Sequence, residues 1–384
     1  MQITGIICEY NPLHLGHKKQ IDQIRGIDPD GAIVCLMSGN YVQRGHPAIF
    51  DKTVRAKAAI AGGADLVLEL PVTAALSSAE GFAAKGVQIL SPICSRLCFG
   101  AETADIKTLW TVAKALLTPE FSRTLKDALS KGVSFPAARQ EALCELGIEA
   151  DILSQPNNIL AVEYCKAILA QDSSMEIMPI LRQGNYHDNL PDNENPSATA
   201  LRSLMLSGEN WQDYVPETAK ILFAGANRHC LQFGEQAILL RLRTMTDAEF
   251  EALPYGSEGL WRKLMHASRK YATLDEILNA VKSKRYTRTR LDRMVLCAFL
   301  GITKDILVAP VPYVRALAFN DTGREVLKQF RAVGEFPNIG QSMDSPYQQL
   351  ENRCTSLYGL FSEVPESPES ESKYRVYYEK SGEV

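Results

Sequence analysis

The chain has 384 residues, 46% of them hydrophobic and 22% charged, the composition of a soluble globular protein of two or three domains. Its formal charge of −4 gives no global sign of nucleic-acid affinity, so any such binding must come from a local basic surface. No stretch reaches the ~18 apolar residues that span a bilayer, and Met1 leads straight into a strand pattern rather than a signal peptide, which predicts a cytoplasmic protein without a membrane partner. The nine cysteines sit mostly in apolar runs and predict buried free thiols; Cys94 and Cys98 lack the second pair that a zinc ribbon needs.

Taken in chain order, the first predicted element is a strand over 2–8, feeding "ICEYNPLHLGH". Pro12 suits a first helical turn, so a helix starting there would set His14 and His17 three apart on one face, beside unpaired backbone N–H groups. That is an anion site with imidazoles added, and Gly16 lets a ligand approach the backbone. A metal site or two ordinary packed histidines are the alternatives; metal lacks a nearby third ligand.

Three further strands, 31–39, 64–71 and 95–102, alternate with Ala-rich helices over 51–63 and 77–90. This alternation predicts an α/β, Rossmann-like parallel sheet with right-handed crossovers, whose ligands bind beyond the strands' carboxyl ends. Segments 9–17, 37–45, Gly100 to Glu102 and the run after a last strand, 176–188, would meet there. Asn157 and Asn158 open an apolar helix and either cap it or bond a ligand. Ser197, Thr199 and Arg202 form a second candidate phosphate clamp, or else a helix cap with a solvated arginine.

Beyond about 210 the alternation stops and a mainly helical half, 211–384, follows the 1–210 catalytic half. Within it Lys282, Lys284, Arg285, Arg288, Arg290 and Arg293 face one acid, Asp292. This is either a solvated helix face or an RNA-backbone site, lying outside the sheet-edge segments. Residues 311–320 predict a strand and turn, and the Ser/Glu/Pro-rich run near 363–372 predicts a flexible acidic segment.

With these residues in hand, nearly the whole chain resembles the bacterial tRNA(Met) cytidine acetate ligases, a branch of the HIGH-motif nucleotidyltransferase superfamily. The likeness rests on "GIICEYNPLHLGH", "MSGNYVQRGHPAIFDKTVRAKAAIAGGADLVLELP", "LCFGAE", "QPNNILAVEYCKAI", "LRQGNYHD" and "RALAFN", in that order. Leu13 and Leu15 stand where relatives often carry Phe and Asn. The resemblance implies ATP and Mg²⁺ as cofactors, acetate and the anticodon region of elongator tRNA(Met) as partners, and acetylation of the wobble cytidine through acetyl-adenylate. It also implies an ATP site formed by Ile7, Cys8, Glu9, Tyr10, Asn11, Pro12, Leu13, His14, Leu15, Gly16, His17, Lys18, Lys19 and Gln20, with Gly100, Asn157 or its neighbour Asn158, and Arg182. His14 and His17 would be catalytic, and Ser197, Thr199 and Arg202 the second phosphate loop. A small-molecule adenylyltransferase shares the sheet and histidine motif, but a compact one lacks the helical half.

Overall fold

The computed structural model describes residues 1–182, 197–311, 313–333, 346–368 and 374–380. Parts of the expected 176–188 and 363–372 segments therefore lie outside the described residues. The first half of the chain runs β1 (Ile3–Cys8), α1 (Leu15–Ile27), β2 (Ala32–Ser38), a hairpin of β3 (Tyr41–Val42) and β4 (His46–Pro47), α2 (Lys52–Ala61), β5 (Leu66–Leu70), α3 (Val72–Ala75), α4 (Ala79–Leu90) and β6 (Arg96–Ala101). Then α5 (Ile106–Leu116), α6 (Pro119–Ser130), α7 (Phe135–Glu145) and α8 (Pro156–Ala170) precede β7 (Glu176–Leu181) and α9 (Ala198–Ser207).

Next come α10 (Glu217–Ala224), α11 (Glu235–Thr244), α12 (Asp247–Glu251), α13 (Leu260–Ser268), α14 (Leu274–Val281), α15 (Arg288–Leu300) and α16 (Lys304–Val308). The chain closes with β8 (Arg315–Asn320), α17 (Asp321–Val333), α18 (Pro346–Tyr358) and β9 (Tyr377–Glu379).

The sheet order is β7-β6-β1-β2-β5-β8-β9, parallel throughout except where β8 lies antiparallel to β5. After β5 the chain crosses to the other side of β1, which leaves a crevice at the carboxyl ends of β1 and β6. Strand residues alternate between two apolar layers. Ile7, Val34 and Leu68 pack with α4, α5 and α8, while Ile6, Cys35 and Val67 pack with α1, α2 and α10. A third core unites α11, α13, α14 and α15 with Tyr41 of β3 and Tyr358 of α18, so the hairpin bridges the sheet and the helical half.

Two expectations need correction. The run 311–320 ends in no separate turn, because α17 starts at Asp321 directly after β8. Buried Asp65 explains the junction: its carboxylate accepts from Asn320 Nδ2 at 2.9 Å, Arg25 Nη2 at 2.7 Å and the Ile33 N–H at 2.8 Å, while Asn320 Oδ1 accepts the Gly323 N–H. Residues beyond 210 thus return to the sheet, a long-range pairing that local periodicity does not encode. The cysteines match expectation in part: Cys35, Cys94, Cys98, Cys165, Cys297 and Cys354 are buried, whereas Cys144 is exposed, and all nine are free.

Candidate active site

The helix after β1 begins later than Pro12. His14 is the N-cap of α1, with an extended backbone, and the first helical residue is Leu15. The two histidines cap the helix reciprocally: His14 Nδ1 accepts the Gly16 N–H at 3.1 Å, and His17 Nδ1 accepts the His14 N–H at 3.3 Å. Their rings stack with centroids 3.7 Å apart.

An imidazole that accepts at Nδ1 carries its proton at Nε2, so each ring offers a neutral Nε2–H donor. Both histidines are held below their ordinary basicity, His14 to about 3, by burial and then by positive neighbours including Arg182. Side by side, they suit an anionic oxygen without needing a proton. Gly16 makes room for the first ring: a Cβ there would sit 3.0 Å from His14 Cε1.

Three other elements close on the pair. Gly100, the penultimate residue of β6, lets the Arg182 side chain pass; a Cβ would meet its Cγ at 3.0 Å. Arg202 of α9 donates to the Asn11 carbonyl at 2.8 Å and to Thr199 Oγ1 at 3.0 Å, tying α9 onto the loop before His14. Ser197 caps α9 by accepting the Ala200 N–H at 3.1 Å. At α8 neither asparagine caps: Glu102 takes the Asn158 N–H at 2.8 Å and Asn157 Nδ2 at 2.6 Å, and Asn158 Oδ1 accepts the Thr103 N–H. An ionised Glu102 also complements the positive end of α8.

These groups line one cavity of about 1420 Å³, above the ~300–1,000 Å³ of ordinary small-ligand pockets. Ile7, Cys8, Glu9, Tyr10, Asn11, His14, His17 and Gln20 reach it, as do Gly100, Asn157, Asn158, Arg182, Ser197, Thr199 and Arg202. Pro12, Leu13, Leu15, Gly16, Lys18 and Lys19 do not: Leu13 is core, and Lys18 pairs with Asp22 on the outer face of α1. Glu9 turns its carboxylate to the β3–β4 hairpin, where Oε1 accepts the Gln43 N–H at 2.7 Å. Val42, Gln43 and Arg44, from the expected 37–45 segment, join the wall, with His46 beside them.

The basic run is no single helix face. Lys282, Lys284 and Arg285 lie between α14 and α15, and Arg288 starts α15. Arg285 pairs with Glu258, Arg288 bridges Asp275 and Asp292, and Arg290 donates to the Tyr255 carbonyl. Arg293 is buried, donating to the Gln43 carbonyl at 3.3 Å. Lys282 and Lys284 are exposed and carry no ion pair to a described residue. The run also does not lie wholly apart from the sheet edge, because Thr287, Thr289 and Arg293 line the same cavity, brought there by the close packing of Gly45 on α15. No group of three potential metal ligands occurs among the described residues.

Comparison with known proteins places this geometry. The profile of the HIGH Nucleotidyl Transferase family matches residues 1–373. A tRNA(Met) cytidine acetate ligase of Clostridium novyi is 39% identical over 88% of this chain and 89% of its own length; that of Clostridium acetobutylicum is 34% identical over 94% and 96%. Among solved structures, apo Thermotoga maritima TmcAL superposes with a TM-score of 0.92 at 28% identity, over 99% of this chain and 100% of that one. The same protein bound with alpha-thio ATP gives 0.89. The chain therefore belongs to the HIGH nucleotidyl transferase family and, within it, to the tRNA(Met) cytidine acetate ligases.

Proposed function

We propose that the chain uses ATP to convert acetate into acetyl-adenylate, releasing pyrophosphate, and then acetylates N4 of the wobble cytidine of elongator tRNA(Met). The observation that carries the first step is the pair of neutral Nε2–H donors at the start of α1, flanked by Arg182 and Arg202 in a cavity at the strand ends. Acetate supplies its own nucleophile, so the chain has to align the reactants and stabilise charge on the phosphates. His14 and His17 would donate to the triphosphate, with Arg182 and Arg202 balancing the charge of the leaving pyrophosphate.

Asn157, Asn158 and Gly100 would frame the remainder of the nucleotide, and Ser197 and Thr199 its second phosphate edge. Mg²⁺ keeps most of its shell as water and phosphate oxygens and needs no cluster of protein ligands, which fits a cavity where no group of three potential metal ligands occurs among the described residues; bound there, it would neutralise the departing phosphates.

Cytosine N4 shares its lone pair with the ring and reacts only with an activated acyl group, which fits a cavity larger than one nucleotide needs. We assign residues 211–384, chiefly the 282–293 run, to the anticodon region of the tRNA, and the reaction to the cytoplasm, where ATP and tRNA occur together. The test is exchange of labelled pyrophosphate into ATP without RNA. Exchange that requires acetate supports the reading. Exchange that requires instead a phosphorylated small molecule favours an adenylyltransferase.

A further inference from the structure

Acylation removes one proton from the cytosine amine, and the carboxylates and imidazoles nearest the strand ends differ in their freedom to take it. His14 and His17 use Nδ1 for the capping pair and are weak bases. Both oxygens of Glu102 accept from the start of α8. Glu163 lies between Arg139 at 2.8 Å and Lys166 at 3.2 Å, and Lys166 also holds Glu80.

Glu9 differs from these. Its Oε1 is fixed by the Gln43 N–H, its own carbonyl accepts from buried Arg55 at 2.6 Å, and Oε2 has no hydrogen bond to a described residue. It lines the cavity at the end of β1, between the histidine pair and the hairpin.

Resting on the acetyl-transfer reading, we propose that Glu9 is the base that takes the N4 proton as the amine attacks acetyl-adenylate. The N4–carbon bond forms to the acetyl carbonyl, the bond from that carbon to the adenylate oxygen breaks, and AMP leaves with the electron pair. The proton passes from N4 to Glu9 Oε2. Burial raises the carboxyl above its ordinary 4.5, which favours proton uptake, although Arg202, Arg44 and Arg55 face it and oppose the shift; Tyr164 of α8 and Cys8 lie near it as well.

The test is single-turnover transfer from synthetic acetyl-adenylate to unmodified tRNA(Met) across pH, for wild type, E9Q and E9D. E9Q keeps the acceptor for Gln43 but not the base. It should transfer ~10²-fold or more slowly, lose the acid limb of the pH–rate profile and bind tRNA unchanged, with E9D partly restoring the limb. Equal rates with the same limb in E9Q would overturn the assignment. Should E9Q fail to fold or to bind acetyl-adenylate, the wild-type profile decides: an acid limb with a midpoint above 4.5 supports Glu9, and a flat profile overturns it. Wild type that cannot use acetyl-adenylate at all would overturn the transfer reading itself.

Discussion

His14 caps α1 and, in the proposed reaction, also donates to phosphate, and one substitution can separate the two. Asn is a preferred N-cap, so H14N should keep the start of α1 and melt close to wild type, while acetate-dependent pyrophosphate release falls ~10²-fold or more. A normal rate in H14N and in H17N would remove the phosphate role. The same residue gives a pH prediction. Its folded value, about 3, lies below the ordinary 6.5, so its contribution to stability is full above pH 6.5 and is lost as pH falls from there toward 3. Thermal melts of H14N should therefore decline less steeply than wild type across that window. The sequence made the histidines legible as a pair at a helix start, because strand, turn and helix signals converge on them. It did not disclose that they cap one another, since the start of α1 depends on how Asn11 is held: Oδ1 accepts the Ile49 N–H and the carbonyl accepts from Arg202.

At the scale of elements, the hairpin and α15 form a joint. Gly45 has φ +84°, and a Cβ there would stand 2.4 Å from the Arg293 backbone nitrogen. G45A should cost about 1–3 kcal/mol in urea unfolding, by overpacking and backbone strain together. An unchanged midpoint would mean that the joint is loose. The basic run beside it yields another expectation. Its arginines already hold the joint and neighbouring loops, so the exposed Lys282 and Lys284 offer the cleaner RNA test. Replacing both with Gln should reduce the slope of log affinity for tRNA against log salt by ~0.7–0.9 per lost phosphate contact. An unchanged slope would make them solvated lysines only. Charge density was visible in the sequence; the arginines' partners, dispersed from Gln43 through Tyr255 and Glu258 to Asp275, were not.

Across the whole molecule, the return of β8 and α18 onto the sheet buries charge. Lys52 Nζ lies 2.8 Å from Glu69, Arg315 lies 3.6 Å from its other oxygen, and Glu351 of α18 accepts the Val72 N–H at 2.8 Å. Burial, then Glu69, raise the Glu351 carboxyl to about 7. A raised acid favours the fold most below its ordinary 4.5, and that contribution is lost as pH rises toward 7. E351Q should thus melt above wild type at pH 8, with the gain vanishing near pH 4.5; a lower melting temperature at pH 8 would contradict this. Alternating strands and helices made the parallel sheet readable, whereas antiparallel β8, which pairs with β5 and ends at Asn320, 255 residues downstream of Asp65, lay beyond the reach of periodicity. The central claim joins the two halves in one reaction, and one assay tests it. Incubate the full chain with ATP, labelled acetate and unmodified elongator tRNA(Met), digest the RNA, and measure acetylated cytidine and AMP. The account predicts label on the wobble cytidine, dependent on ATP and matched by AMP; RNA without label, while acetate and ATP are present, would contradict it.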